Sequence, residues 1–204
     1  FDEFGWQRLE LPGRHFSWRI RGNPLSWLDS LPEQAPELIV ATSMVDLATL
    51  KGLHPRLAGV RTVLYFHENQ FAYPRSDGQT TSIEAQIVQL YAALAADRVL
   101  FNSGYNRTTF IEGVDSLLAG MPDHVPSGVS GRIADKSEIL PVPIDPIRPP
   151  DTRDPALILW NHRWEYDKNP DLFADAMIAL AERGAEFRLA LLGQRHRKTH
   201  DALA

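Results

Sequence analysis

The sequence predicts an α/β protein built from two parallel-sheet domains, and three observations lead to that prediction. Apolar runs without charge recur along the chain, as expected for strands buried on both faces of a parallel sheet. Each run ends abruptly in polar residues and is followed by a segment with helical spacing of apolar residues. A proline-rich stretch separates two groups of such units, which favours two domains over one.

Two segments precede the central strand of the first domain. Residues 6–11 alternate like a strand, and residues 14–24 interleave aromatic residues with arginines. Such interleaving suits stacking on bases and pairing with phosphates, but it also fits an amphipathic surface loop, which the pattern alone favours. Residues 38–43 form a buried strand, and a short helix is predicted over residues 44–50. Asp46 in its first turn either favours the helix dipole or points into a crevice.

The first domain is organised around residues 62–74. They begin as an apolar run and then change to His67, Glu68, Asn69 and Gln70. Ligands of open α/β sheets bind beyond the carboxyl ends of the strands, so these four side chains lie where chemistry would be done. The alternative is that they cap the next helix and fix a loop, although four consecutive polar groups exceed what a cap needs.

The following elements repeat the same pattern. A helix is predicted over residues 82–96 with Ser82 as its N-cap, and a strand over residues 98–101. The strand ends in Asn102 and Ser103, which either bind a sugar or phosphate or cap a helix that reaches about residue 112. His124 lies in a loop beside Asp123, and residues 127–137 form a helix or an exposed segment.

A proline-rich linker marks the domain boundary. Five prolines within residues 139–150 predict an extended, semi-rigid connection. We assign residues 1–147 to the first domain, 148–154 to the linker and 155–204 to the start of the second domain. The second domain shows a strand over residues 156–160, a helix over 170–183 and a strand over 187–193. Because the first domain lacks an opening strand and helix, and the second is cut short, we expect an internal fragment.

Arg163 and Lys168 are the candidate anion-binding residues of the second domain. They lie five residues apart in the loop after its first strand. Guanidinium and ammonium groups so placed suit a diphosphate, whose charge must be neutralised when its bond breaks. The alternative is a solvent-exposed loop in which neighbouring carboxylates pair with both cations at little energetic gain. We favour the diphosphate site.

Several classes of protein lose support from what the sequence lacks. Neither the dinucleotide-binding G-x-G-x-x-G pattern nor a P-loop occurs, which argues against dinucleotide oxidoreductases and P-loop NTPases. The chain has no cysteine, and His67 with Glu68 alone gives too few ligands for a metal. No apolar run of about 18 residues is present. The net charge of −5 gives no electrostatic indication of nucleic acid binding.

The ordered set of motifs resembles the tRNA-queuosine α-mannosyltransferase family. Residues 65–70, 101–103, 122–124 and 162–168 carry the likeness, which includes residues 18–21 and runs over nearly the whole chain. The resemblance implies a retaining GT-B glycosyltransferase, with two Rossmann-like domains facing a cleft and the nucleotide sugar held mainly by the C-terminal one. It also implies GDP-mannose as donor, the queuosine of a tRNA anticodon as acceptor, and no essential metal. We expect a cytoplasmic location.

The resemblance also assigns roles to individual residues. Arg163 and Lys168 match the donor-diphosphate loop, and His67 matches the position near the transferred sugar, so these three are the catalytic candidates. Asn102 and Ser103 would line the cleft on the donor side. The acceptor-side candidates are Glu68, Asn69, Trp18, Arg19, Arg21 and His124.

Two alternatives remain beside this function. One is a GT-B glycosyltransferase that acts on a saccharide or another acceptor. The other is a non-catalytic module that binds RNA or a nucleotide. Consumption of a nucleotide sugar separates the enzymes from the binding module.

Overall fold

The apolar runs pair into two parallel sheets in the computed structural model, which describes residues 3–13, 15–74, 83–146, 148, 152–164 and 166–193. Within these residues, the first unit spans residues 3–73 and 83–143, and the second spans Pro74 and residues 144–193. The predicted α/β fold with parallel sheets is confirmed. The facing of two domains across a cleft, and the domain bounds, stay predictions.

The first unit is built on a four-stranded sheet whose spatial order is the chain order. Its strands are β1 (Leu38–Thr42), β2 (Arg61–Phe66), β3 (Arg98–Phe101) and β4 (Ser137–Ile139), each parallel to the next. Its helices are α1 (Phe16–Ser26), α2 (Leu47–Leu53), α3 (Ile83–Ala95), α4 (Gly104–Ala119) and α5 (Val129–Ala134), with a 3-10 helix at Pro55–Leu57. All the strand ends that carry polar residues therefore lie at one edge of the sheet.

An aromatic cluster forms the centre of the core beneath that edge. Phe66, Phe101 and Phe110 are fully buried, and the ring centroids of Phe66 lie 4.7 Å from Phe101 and 4.6 Å from Phe110. Phe71 meets Phe110 edge to face at 5.3 Å. Gly113 of α4 lets the helix lie against Phe71, because a β-carbon there would come within 2.5 Å of that side chain. The cluster ties α4 to β2 and β3.

A hydrogen-bonded carboxylate links the amino-terminal ends of β2 and β3, at the edge of the sheet opposite the polar strand ends. Asp97 accepts hydrogen bonds from the backbone N–H of Thr62 at 2.7 Å and from its hydroxyl at 2.9 Å. These bonds, with the positive charges of Lys51 and Lys136, hold the pKa of Asp97 below its ordinary value of 3.8. Burial lowers the pKa of Lys136, whose ammonium group donates to the carbonyl oxygen of Leu94 at 2.9 Å.

Asp97 makes the free energy of unfolding of this unit decrease at low pH. Because its pKa is lowered on folding, its contribution is complete above about pH 4 and is lost as pH falls through the folded-state pKa. We expect Asp97→Asn to lower the free energy of unfolding by about 0.5–1 kcal/mol at pH 7, and that difference to narrow as pH falls below about 4. Urea unfolding of both proteins from pH 3 to 7 measures it, with Asp123→Asn, an exposed loop carboxylate, as control. A constant difference across this range contradicts the prediction.

The N-terminal segments differ from their predictions. The strand predicted over residues 6–11 is wrong, because the segment pairs with no described strand; Leu9 and Leu11 instead pack against the core. The surface loop predicted over residues 14–24 is also wrong, because the helix α1 occupies residues 16–26. Pro24 offers no N–H to the carbonyl of Ile20, and the side-chain amide of Asn23 donates to that oxygen instead, at 3.2 Å.

Other elements match with shifted bounds. α4 extends to Ala119 rather than to about residue 112. Residues 137–139 form β4 by pairing with β3, whereas the sequence divides them between a helix or exposed segment and the proline-rich stretch. Asp46 is the N-cap of α2, accepting from the backbone N–H of Thr49 at 3.2 Å. Ser82, the predicted N-cap of α3, lies outside the described residues.

The second unit is a single strand–helix–strand motif, as predicted. It contains β5 (Leu157–Asn161), a 3-10 helix (Tyr166–Lys168), α6 (Pro170–Glu182) and β6 (Arg188–Leu192), with β5 parallel to β6. Trp160 packs on Phe173 with ring centroids 4.2 Å apart, which fixes α6 on the sheet. Gly184, with φ of 78°, follows the helix in the left-handed conformation that glycine favours. Across the described parts of both units, every helix is too short or too polar to cross a lipid bilayer.

Candidate functional site

The carboxyl edge of the four-stranded sheet gathers the polar residues predicted from the first unit's strand ends. Phe66 and Phe101 are register partners, so His67, after β2, lies beside Asn102, after β3. The side-chain amide of Asn102 donates to the carbonyl oxygen of His67 at 2.7 Å. The structure thus brings together residues that are 35 positions apart in the chain.

The main chain of His67 is held while its side chain faces solvent. Its carbonyl oxygen accepts the Asn102 bond, and the residue as a whole is exposed. Among the described residues, none forms a hydrogen bond or ion pair with its imidazole. An imidazole so placed can donate to, or accept from, a bound molecule without first breaking a protein contact.

Asn69 is a buried anchor of the loop after β2. Its side-chain oxygen accepts from the backbone N–H groups of Phe71 and Ala72, each at 3.0 Å. Its side-chain nitrogen donates to the side-chain oxygen of Asn106 at 2.8 Å and to the Thr109 hydroxyl at 3.1 Å. These contacts use every hydrogen-bonding direction of the Asn69 amide, which gives it a structural task beside the acceptor role predicted for it.

Ser103 and Asn102 also carry structural contacts. The hydroxyl of Ser103 caps α4 by accepting from the backbone N–H of Asn106 at 3.1 Å. It donates to the side-chain oxygen of Asn102 at 3.2 Å. The capping alternative left open by the sequence is therefore realised, and the donor-side role of both residues stays a prediction.

Gln89 joins the ends of β1 and β2 from the buried side. It is fully buried on α3, where its side chain donates to the carbonyl oxygen of Ser43 at 3.2 Å and accepts from the backbone N–H of Gln70 at 2.8 Å. The hydroxyl of Ser43 donates to the carbonyl oxygen of Glu68 at 2.9 Å. Sequence reasoning missed Gln89 and Asn106, and the signal for Gln89 is a carboxamide placed between the apolar residues Val88 and Leu90 of α3.

The three predicted acceptor residues near the N-terminus lie on α1 in different surroundings. Trp18 is 57% exposed and its ring lies against Gly22. Arg21 pairs with the buried carboxylate of Asp46 at 2.6 Å and with Glu84 at 3.4 Å. The charge of Arg21 is thus engaged within the unit, and the exposed indole is the α1 group best placed to stack on a ligand.

Arg19 and Glu68 line one pocket of about 1080 Å³ within the first unit. Residues 6–13, α1 and the end of β1 supply most of its wall, which is mainly apolar. The Nε atom of Arg19 is buried and has no hydrogen-bond partner among the described residues. Two of the predicted acceptor residues, the cationic Arg19 and the anionic Glu68, therefore line the same cavity.

His124 lies apart from these groups in the loop between α4 and α5. It is exposed and has a φ of 50°, in the left-handed region. In the described parts of the chain, no hydrogen bond or ion pair links it to His67, Asn102 or Glu68.

The two predicted donor cations lie after β5 in the second unit. Arg163 is exposed in the loop, and Lys168 ends the 3-10 helix with its side chain 38% exposed. The Lys168 ammonium lies 3.0 Å from Oδ2 of the largely buried Asp167. The other carboxylate oxygen of Asp167 is buried, and no residue in the described part of the chain forms a hydrogen bond with it. Gly193 allows β6 to end against this loop, because a β-carbon there would collide with the carbonyl of His162.

The described residues contain no candidate metal-binding cluster. No three histidine, cysteine, aspartate or glutamate side chains among them are grouped so as to hold an ion. The expectation that no metal is needed stays a prediction.

Comparisons with known proteins agree with the resemblance seen in the sequence. The family described as tRNA-queuosine alpha-mannosyltransferase N-terminal matches residues 1–144. A tRNA-queuosine alpha-mannosyltransferase from Drosophila melanogaster is 32% identical over an alignment that covers 93% of this chain and 54% of the relative. The chain thus spans about half the length of that relative. No solved structure gives a significant match.

Proposed function

Because the chain belongs to the tRNA-queuosine alpha-mannosyltransferase N-terminal family, we propose that the protein transfers a mannosyl group to the queuosine of a tRNA anticodon. The observation that carries this proposal is the family match over residues 1–144, which includes His67 and Asn102. The name of the Drosophila relative supports the same acceptor and sugar. The same proposal places the reaction in the cytoplasm.

We further propose GDP-mannose as the donor, with its diphosphate bound by Arg163 and Lys168. A departing nucleoside diphosphate gains negative charge as its bond to the sugar breaks, and positioned cations stabilise that charge. Both residues follow a strand of a parallel sheet, and Arg163 is exposed. The guanidinium can hold two phosphate oxygens at once, while the lysine acts as a point charge.

The proposed reaction retains the configuration of the sugar. The bond between the anomeric carbon and the phosphate oxygen breaks, and a bond forms from that carbon to a hydroxyl oxygen of queuosine. The hydroxyl proton passes to an oxygen of the departing diphosphate. The exposed imidazole of His67 orients the sugar while positive charge develops at its anomeric carbon.

The tRNA acceptor is supported by local features rather than by overall charge. The chain carries a net charge of −5, so long-range attraction to a polyanion is weak. Arg21 is already paired with Asp46. Contact with the anticodon would therefore depend on the exposed ring of Trp18 and on Arg19, through base stacking and a charge-assisted hydrogen bond.

The test combines the full-length protein with queuosine-containing tRNA and a panel of nucleotide sugars. We expect mass spectrometry of the digested nucleosides to show one added hexose on queuosine with GDP-mannose and not with UDP-glucose. The matched control is the same tRNA with guanosine in place of queuosine, which should remain unmodified.

The other outcomes separate the alternatives. Hydrolysis of a nucleotide sugar without modification of tRNA would overturn the acceptor and favour a glycosyltransferase with another acceptor. Binding of tRNA without consumption of any nucleotide sugar would overturn the enzymatic function in favour of a binding module.

A further inference from the structure

Asn106 is buried in the first turn of α4, directly beneath the end of β2. It is 6% exposed, and its side chain turns back under the sheet edge rather than toward solvent. Its side-chain nitrogen donates to the carbonyl oxygen of Phe66 at 3.1 Å and to the side-chain oxygen of Asn102 at 2.9 Å. Its side-chain oxygen accepts from Asn69 at 2.8 Å.

Backbone groups fix the direction of all three asparagine amides. The carbonyls of Phe66 and His67 can only accept, so the NH₂ groups of Asn106 and Asn102 must face them. The backbone N–H groups of residues 71 and 72 can only donate, so the oxygen of Asn69 must face them. The three amides therefore form a chain of hydrogen bonds in which each NH₂ group donates to the next oxygen. The chain runs from Asn69 through Asn106 and Asn102 to the His67 carbonyl.

This chain replaces the β-ladder where β2 ends. The carbonyl of Phe66 still receives a ladder bond from the backbone N–H of Asn102, at 3.0 Å. The carbonyl of His67 lies one residue beyond the strand and receives the Asn102 side chain instead. The peptide plane after His67 is thus held by the side chain of Asn102, whose oxygen in turn accepts from Asn106 at 2.9 Å and from the Ser103 hydroxyl at 3.2 Å.

We propose that Asn106 is a positioning residue for His67. Acting through Asn102, it fixes the main chain of His67 so that the exposed imidazole meets the bound sugar in one orientation. This inference rests on the proposed function for its effect on turnover, but the geometry at His67 can be measured without any substrate. Asn106 touches neither donor nor acceptor in this account.

The first test is a double-mutant cycle on transfer activity. We expect Asn106→Ala to lower kcat roughly 10-fold to 100-fold with little change in the KM for nucleotide sugar, since misplaced groups slow the chemical step. In a His67→Ala background the same change should have no further effect, because the group that it positions is absent. Additive losses would overturn the proposal.

The second test follows the ring of His67 in the free protein. Its ¹H–¹³C NMR signal, assigned by its loss in His67→Ala, should shift or broaden in Asn106→Ala. Val114→Ala serves as the control, because it truncates a buried side chain on the same helix without touching the amide chain. An unchanged His67 signal in Asn106→Ala, or an equal change in Val114→Ala, would overturn the proposal.

Asn102→Ala keeps the test decisive if Asn106→Ala does not fold. Asn102 is only partly buried, and its replacement removes the final bond to the His67 carbonyl. The same shift of the His67 signal is expected. If the wild-type protein transfers no sugar, the proposed function fails, while the NMR comparison still decides whether the amide chain positions His67.

Discussion

Replacement of Arg163 by alanine is expected to lower the rate of the proposed mannosyl transfer about 100-fold to 1000-fold while leaving the fold unchanged. The size follows from what removal of one electrostatic contact to a charged transition state costs in other enzymes. The fold should tolerate the change, because Arg163 is exposed in a loop and exposed substitutions rarely alter stability by more than about 0.5 kcal/mol. Steady-state kinetics of the full-length protein, with circular dichroism to confirm folding, measures both parts.

Arg183→Ala is the matched control for this prediction. It removes the same charge from the same unit, but at the C-terminal end of α6, whereas the loop that contains Arg163 precedes the N-terminal end of that helix. Its turnover should equal that of the wild type. Normal turnover in Arg163→Ala would show that the diphosphate binds elsewhere.

Lys168→Ala carries a structural cost beside the loss of its charge. Its ammonium group is paired with the largely buried carboxylate of Asp167, and removal leaves that carboxylate without this partner. Part of any loss in Lys168→Ala would therefore be structural, and urea unfolding of this variant measures that part.

Phe110→Ala is expected to lower the free energy of unfolding of the first unit by about 3–5 kcal/mol, the usual cost of truncating a buried phenylalanine. Its ring is fully buried and contacts three others, with centroids 4.6 Å from Phe66, 5.3 Å from Phe71 and 5.6 Å from Phe101. The empty volume would lie where α4 meets β2 and β3, so these rings would lose contacts. Urea denaturation at constant pH measures the change.

Tyr105→Ala provides the control for that measurement. Tyr105 is an aromatic residue on the same helix but is 72% exposed, so its truncation should change stability by no more than about 0.5 kcal/mol. Equal losses in the two variants would mean that the aromatic cluster is not the centre of the core.

The buried strands are predictable from sequence because their chemistry is local. β2, β3, β5 and β6 coincide with apolar runs, as expected for strands of a parallel sheet. The residues of β5 and β6 are half-buried or exposed, however, and Leu159 and Leu192 are among the exposed ones. The edge at which His67 and Asn102 meet is also predictable, because parallel strands place their carboxyl ends at the same edge of a sheet.

The helix α1 is not predictable, because its local preferences oppose it. Gly22, Asn23 and Pro24 are poor helix formers. Distant contacts compensate: the Asn23 amide donates to the Met44 carbonyl at 3.0 Å and accepts from the backbone N–H of Asp46 at 3.2 Å, and Asp46 also pairs with Arg21. These partners are more than 20 residues away, beyond any local pattern.

The supports beneath the candidate site are hidden from sequence in the same way. Asn106 reaches Phe66 across 40 positions, and Gln89 reaches Ser43 across 46. A carboxamide in a helix indicates nothing about which carbonyl it will meet once the sheet has formed. The positions of the site residues can thus be predicted, whereas the groups that hold them require the structure.

The order of the first sheet has a consequence for how the protein is made. Its spatial order, β1 to β4, is also the order in which the strands leave the ribosome. Each new strand pairs at the open edge of the strand before it, so none has to insert between two strands that have already paired. Paired residues lie roughly 20–40 positions apart, far enough to make pairing slow compared with helix formation. Since synthesis adds about 5–20 residues per second, the rate of translation can set the order in which the strands join this sheet.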